Sequence, residues 1–211
     1  MSSFPAAHHR ERRAGRDTAM RGTTLPDLLA ALLVAAALCA LSLPRVADGL
    51  DHWRARGAAS YLASRVALTR MQAVRRRTNV AMRFEPDGGR MRMQVYADGN
   101  GDGVRSADIA IGVDAPLAPG ERLEDLFPGV TLGFISGATL VDGSPAPPGT
   151  DPVRFGSGRM VSCTPDGTAT PGTIYLRGQG PWQYAVVVLG ATGRTRLLQF
   201  ETAGARWVTA W

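Results

Sequence analysis

The stretch from Arg21-Gly22-Thr23 to Pro44 constrains this chain more than any other, because between Leu28 and Leu43 it carries no charge and only Ser42 as a clearly polar residue. With Thr23 to Asp27 ahead of it, the run supplies roughly the ~20 helical residues needed to cross a hydrocarbon core. It predicts a membrane segment. Five arginines precede it, Arg10, Arg12, Arg13, Arg16 and Arg21, against Glu11 and Asp17. The positive-inside rule then keeps the N-terminus cytoplasmic and sends the remainder across. Secretory cleavage after Ala47 would place Arg45 where a small residue is wanted, and Cys39 follows Leu38 where a lipoprotein signal prefers a small residue.

Asp27 is the odd residue, an acid close to the start of an apolar run. An unpaired carboxylate there costs several kcal/mol unless a cationic group meets it. If the chain were cut after Gly22, the new amine of Thr23 would lie a turn away in the same helix, or beside Asp27 of a neighbouring chain. These residues resemble the type IV prepilin signature: a glycine before the cut, an acid as fifth mature residue, an apolar helix, and Pro44 as mature residue twenty-two. The resemblance implies cleavage after Gly22 by a prepilin peptidase, methylation of Thr23, and a role for Asp27 in orienting subunits. Thr23 stands where phenylalanine is usual, Pro26 where an aliphatic residue is usual, and Asp27 where the longer glutamate is usual.

Removing such a leader and the membrane segment from 211 residues leaves enough chain for one modest domain with its own core. The net charge of +6 invites a nucleic-acid reading, but the leader's five arginines and two acids alone supply +3. No lysine occurs anywhere, so the high pI of about 10.3 is weak evidence of a nucleic-acid partner. Cys39 lies in the membrane run and Cys163 in the soluble part, so no disulfide within one chain is expected. His8 and His9 belong to the leader, which leaves His52 as the single histidine behind it. That removes most routes to a His-based metal site or a Ser-His pair, and no catalytic constellation emerges.

Beyond Pro44 a helical period continues. Val46, Leu50, Trp53, Gly57, Tyr61, Ser64, Leu68 and Met71 recur at steps of three and four, which predicts one face of a helix packing on a core. Pro44, Gly49 and Gly57 should weaken that helix. After Arg77 the period changes to two: Val80, Met82, Phe84, then the turn Pro86-Asp87-Gly88-Gly89, then Met91, Met93 and Val95 predict a β-hairpin. Further strands are expected at Ile109 to Val113, Val130 to Ile135, Thr173 to Arg177, Tyr184 to Leu189, Arg194 to Phe200 and Arg206 to Trp211. Ser136 to Asp151, with Pro145, Pro147 and Pro148, reads as an exposed, mobile loop.

The order of one long helix and then an antiparallel sheet gives an α+β fold class. It resembles the GspH/FimT branch of minor pilins and pseudopilins through Ala73-Val74-Arg75-Arg76-Arg77, Asp98-Gly99-Asn100-Gly101-Asp102-Gly103, Phe155-Gly156-Ser157-Gly158 and Gly193-Arg194-Thr195-Arg196. The expected division is a basic leader at 1–22, a transmembrane half-helix at 23–44, an amphipathic half-helix at 45–78 and an extracytoplasmic β-rich domain at 79–211. The resemblance implies a structural subunit of a type II secretion pseudopilus or type IV pilus, held in the bacterial inner membrane with its C-terminal domain periplasmic. Its partners would be other pilin-like subunits and the prepilin peptidase.

Two motifs carry ligand chemistry. Asp98, Asn100 and Asp102 stand at the first, third and fifth positions of a calcium loop, with Gly103 at the sixth and the Val104 carbonyl at the seventh. An EF-hand needs an acid at the twelfth position, where Ile109 stands, so a calcium site would have to close on Asp108; the same residues are also good turn sequence. Arg194 and Arg196 fall on one side of a strand after a turn and could reach backbone phosphates. In FimT-like members such a motif is associated with DNA capture. Trp182, Trp207 and Trp211 could form a stacking platform, although such residues more often fill a core or a subunit contact.

Overall fold

The structure, a computed structural model, describes residues 24–40 and 48–210 in full and residues 41–47 as helical backbone. The chain divides into two units, Met1–Leu43 and Pro44–Trp211. A helix, α1, spans Leu25–Arg76 and is helical through Gly49 and Gly57, where the sequence predicted weakening. Among the described residues no helix is long and apolar enough to cross a membrane. The expected span of 23–44 includes Thr23 and the side chains of 41–44, which lie outside that description.

Among the described residues eleven strands and two short helices follow. β1 (Val80–Asp87) and β2 (Arg90–Ala97) form the expected hairpin. Its turn is Gly88-Gly89 alone, both with positive φ, as a two-residue primed turn requires; Pro86 and Asp87 belong to the strand. α2 (Ser106–Ala110), β3 (Ala115–Pro116), β4 (Glu121–Arg122), α3 (Leu123–Leu126), β5 (Thr131–Leu132) and β6 (Val153–Arg154) are short. β7 (Met160–Cys163), β8 (Gly172–Arg177), β9 (Gln183–Val188), β10 (Thr195–Glu201) and β11 (Arg206–Thr209) complete the chain.

The strands make two antiparallel sheets. In the first the order is β3-β2-β1-β7 with β4 also on β2; in the second it is β11-β10-β9-β8-β5 with β6 also on β8. Ile109 to Val113 is not a strand. Ser106–Ala110 is helical there, and Asp108 O accepts the N–H groups of Val113 (2.9 Å) and Asp114 (3.2 Å), which curls the segment back on itself.

One core joins both sheets to α1. Ala55, Ala58, Ala59, Leu62, Val66 and Ala73 from the helix meet Met82 and Phe84 of β1, Val95 of β2, and Ile174, Leu176, Tyr184 and Val186 of β8 and β9. Small side chains at helical spacing let backbone and sheet approach closely, and each fully buried aliphatic contributes about 1.5–3 kcal/mol. A second cluster lies around Tyr175, Ala185 and Leu198, with Leu140, Phe134 and Trp207 packed in it. Leu140 comes from the proline-rich segment, which is therefore anchored rather than simply exposed. The Trp207 indole N–H donates to the carbonyls of Thr139 (3.1 Å) and Leu140 (3.2 Å), and Val141 N–H donates to Tyr175 Oη (3.0 Å).

Buried polar side chains clamp the remaining ends. Asp51 on α1 accepts the N–H groups of Gln179 (2.9 Å) and Gly180 (2.7 Å) at the β8–β9 turn. Gln183, fully buried, accepts from Ile135 N–H (2.7 Å) and donates to Gly133 O (3.0 Å). Both arrangements satisfy backbone groups that a buried turn would otherwise leave unpaired.

Candidate functional site

The helix N-terminus holds the first candidate. Asp27 Oδ2 accepts hydrogen bonds from Thr24 N–H (3.1 Å) and Thr24 Oγ1 (2.8 Å). This is one side of a capping box, in which the third helical residue reaches back to the N-cap. The carboxylate thus finds donors inside its own first turn, and the Thr-x-x-Asp spacing is a sequence signal that the search for a cationic partner passed over. Pro26 falls in that first turn, where its missing N–H removes no helical bond. Gly22 and Thr23, the expected processing pair, and the side chain of Pro44 lie outside the described residues.

The second candidate is a face of α1. The stripe predicted to pack on the core does not do so: Trp53 is 67% exposed, Met71 48%, Leu50 49% and Leu68 42%, while Leu62 and Val66 are fully buried. The buried positions 55, 58, 59, 62, 66, 69 and 73 and the predicted stripe lie on opposite sides of the helix, because 3.6 residues make a turn. Both sides are apolar, and the alanine side packs because it is thin. On the outer side Ser64, Ala67, Leu68, Arg70, Met71 and Val74 line a shallow cleft of about 590 Å³. Tyr61 and Gly57 sit at the flank of the outer stripe, Tyr61 stacking on Phe127 at 5.7 Å and bonding Glu121.

The loop after β2 is organised around Asp98. Asp98 accepts hydrogen bonds from Asn79 Nδ2 (2.8 Å) and from the N–H groups of Asn100 (3.2 Å), Gly101 (2.7 Å) and Gly103 (2.9 Å). Those donors occupy both of its oxygens. Burial pushes the Asp98 carboxyl up, but the four hydrogen bonds outweigh it and hold the group below its ordinary value. Asp102 pairs instead with Arg105 at 2.7 Å, and Val104 is buried against Ala81 and Tyr96. Asp108 lies on α2, and its carbonyl holds the turn at Val113 and Asp114. Asp114, which sequence reasoning missed, accepts from the N–H groups of Gly99 (3.0 Å) and Arg105 (2.8 Å) and closes the loop. Among the described residues no group of three or more His, Cys, Asp or Glu could hold a metal ion.

Arg194 and Arg196 are both exposed, and among the described residues neither has an acidic partner. The glycine before them is structural. Gly193, at φ +60, accepts no side chain, since a Cβ would stand 2.6 Å from both Arg70 Cδ and Gly167 O. Arg70 reaches from α1 to donate to Gly167 O at 2.7 Å in the turn between β7 and β8, and Gly193 packs against both. Trp182 packs against His52 at 4.2 Å and Trp207 against Tyr175 at 5.7 Å, so these two are core-flanking and make no open platform; Trp211 lies outside the described residues. His52 Nδ1 is 3.2 Å from Tyr184 Oη, a structural contact. Cys163 is buried, and burial pushes its thiol up to about 11, which leaves it protonated and unreactive at neutral pH.

The family described as type II transport protein GspH matches residues 58–193, from the middle of α1 to the turn before β10. Two solved structures of the minor pseudopilin EpsH from the type 2 secretion system of Vibrio cholerae are similar. One is 19% identical over 69% of this chain and 97% of that chain, with a TM-score of 0.43; the other is 16% identical over 69% and 94%, with a TM-score of 0.39. No curated protein matches the sequence.

Proposed function

The chain belongs to the GspH family of type II transport proteins, and on that premise we propose that it is a structural minor pseudopilin, an assembly subunit of a type II secretion pseudopilus. The family match carries the reading, and it covers the C-terminal part of α1 and the strands from β1 to β9. The subunit is made as a precursor, inserted in the inner membrane through 23–44 with the leader cytoplasmic, cut after Gly22 by a prepilin peptidase and methylated on Thr23. What supports the insertion is the uncharged run from Leu28 to Leu43 behind five arginines. Within the filament it joins other pseudopilins through its N-terminal helix, with Asp27 setting the register of the first turn.

The mass of the N-terminal peptide from membrane-extracted protein tests this. A peptide beginning at N-methylated Thr23 is the expected result; an intact Met1 or a start near Asp48 overturns it.

A second reading, a pilin that binds DNA for uptake, draws on the exposure of Arg194 and Arg196, neither of which has an acidic partner among the described residues. Contacts to phosphates make affinity fall steeply with salt. Arg194→Ala with Arg196→Ala should then weaken duplex binding and flatten its salt dependence; unchanged affinity removes the motif from any such role.

A further inference from the structure

Beyond Leu38 the exposed large apolar side chains gather on one side of α1, at Leu50, Trp53, Leu68, Met71 and Val74. The exposed positions between them are small: Ser60, Ser64 and Ala67. Ser64 and Ala67 line, with Leu68 and Met71, the cleft of about 590 Å³. At 1.5 Å per residue the stripe from Leu50 to Val74 is about 36 Å long.

Its margins carry charge of one sign. From His52 to Phe84 the chain holds no acid. Arg54 stands one turn beyond Leu50 and Arg75 one turn beyond Met71, so an exposed guanidinium lies near each end of the stripe. Arg56, three residues beyond Trp53, lies on the other margin. These three are in no ion pair among the described residues. Two further arginines of the helix are occupied, Arg65 by Glu121 at 3.5 Å and Arg70 by Gly167 O.

An apolar stripe rimmed by unpaired arginines selects its occupant by charge. A second copy of this chain laid on the same face sets arginine against arginine in either direction, with no acid on that stretch of helix to relieve it. A duplex would use the arginines and leave the apolar stripe in water. A bilayer surface favours an unbroken band of large side chains, whereas Ser60, Ser64 and Ala67 interrupt this one and leave room for the ridge of a second helix. We propose that the stripe from Leu50 to Val74 docks a helix of a different polypeptide, one whose apolar ridge is edged by glutamate or aspartate, with carboxylates meeting Arg54 and Arg75. The setting of this contact rests on the chain being an assembly subunit. The binding itself requires neither processing nor membrane insertion, so a failure of the test below leaves the N-terminal mass result untouched, and the reverse also holds.

The test is a titration of the full chain, in a non-ionic detergent, into a fluorescein-labelled helical peptide of about 24 residues that matches the stripe in length. The peptide carries leucine and alanine at steps of three and four with glutamate on both flanks, and anisotropy reads the binding. Saturation is expected with a Kd on the order of 10–100 μM. Replacing the glutamates by lysines should weaken binding at least about tenfold. Arg54→Glu with Arg75→Glu should reverse that preference, so that the lysine peptide binds the more tightly, a gain that misfolding cannot produce. Met71→Ser should weaken the glutamate peptide by about three- to tenfold. Absence of saturable binding, equal binding of the two peptides, or no reversal by the double substitution overturns the proposal. Displacement of the labelled peptide by phosphatidylglycerol added to the micelles, or by duplex DNA, overturns it in favour of a lipid surface or a nucleic acid.

Discussion

The two faces of α1 between Leu50 and Val74 are equally apolar in pattern and opposite in fate. One carries Ala55, Ala58, Ala59, Leu62, Val66 and Ala73 and disappears beneath two sheets; the other carries Leu50, Trp53, Leu68, Met71 and Val74 and stays exposed. The larger side chains would be expected inside if hydrophobicity alone decided. What decides is thickness: alanines let the helix axis settle close to the strands, so that Met82, Phe84, Tyr184 and Ile174 fill the space from the sheet side. A face of large residues left outside is the kind of surface that marks an interaction site.

The contrast can be broken by substitution, and the largest effect should come from the buried face. Leu62→Ala leaves a cavity between helix and sheets and should lower unfolding free energy by about 2–5 kcal/mol in a denaturant melt. A loss under 1 kcal/mol would mean that the packing assigned to this face is wrong. Ala58→Leu attacks the same face by overfilling it and should lower stability by about 1–3 kcal/mol, with a visible fall in melting temperature. If the variant melts like the parent, thickness is not the deciding property.

A weaker effect is expected away from both faces. The folded carboxyl of Asp98 lies below its ordinary 3.8. Its hydrogen bonds therefore add stability that is fully present above pH 3.8 and is lost as pH falls through the folded value. The amide resonances of Gly101 and Gly103 should titrate with a midpoint below 3.8 while those of Leu62 and Val66 stay fixed; a midpoint at or above 3.8 contradicts the assigned hydrogen bonding. Smallest of all should be Leu68→Ser and Trp53→Ser, each within about 0.5 kcal/mol of the parent in the isolated chain. In cells the same two changes should lower secretion through the assembled pseudopilus, and full secretion by both would show that the outer face joins no partner.

Much of the fold was legible because it rests on local signals. The hairpin of β1 and β2 follows from alternation around Gly88-Gly89, and β8, β9 and β10 were each located within a residue or two. β7 was missed because Met160 to Cys163 is short and is held by pairing with β1, some eighty residues earlier in the chain. Ile109 to Val113 read as a strand because apolar residues alternate there, but no strand lies beside it. Asp98 and Asp114 draw the segment into a hydrogen-bonded loop. The spacing of Asp98, Asn100 and Asp102 specifies which oxygens lie near one another, whereas only the folded loop shows that Asp98 also organises the backbone N–H groups of Asn100, Gly101 and Gly103.

By itself the sequence determined the long helix, the antiparallel sheets behind it, the acid at the start of the apolar run and the family to which these features point. Those depend on composition and period over short windows, where neighbours along the chain dominate. Only the tertiary structure decided which face of α1 is buried and that the proline-rich segment is pinned by Trp207 and Tyr175. Each of these depends on residues far apart in sequence, and on a competition for space that no single segment records.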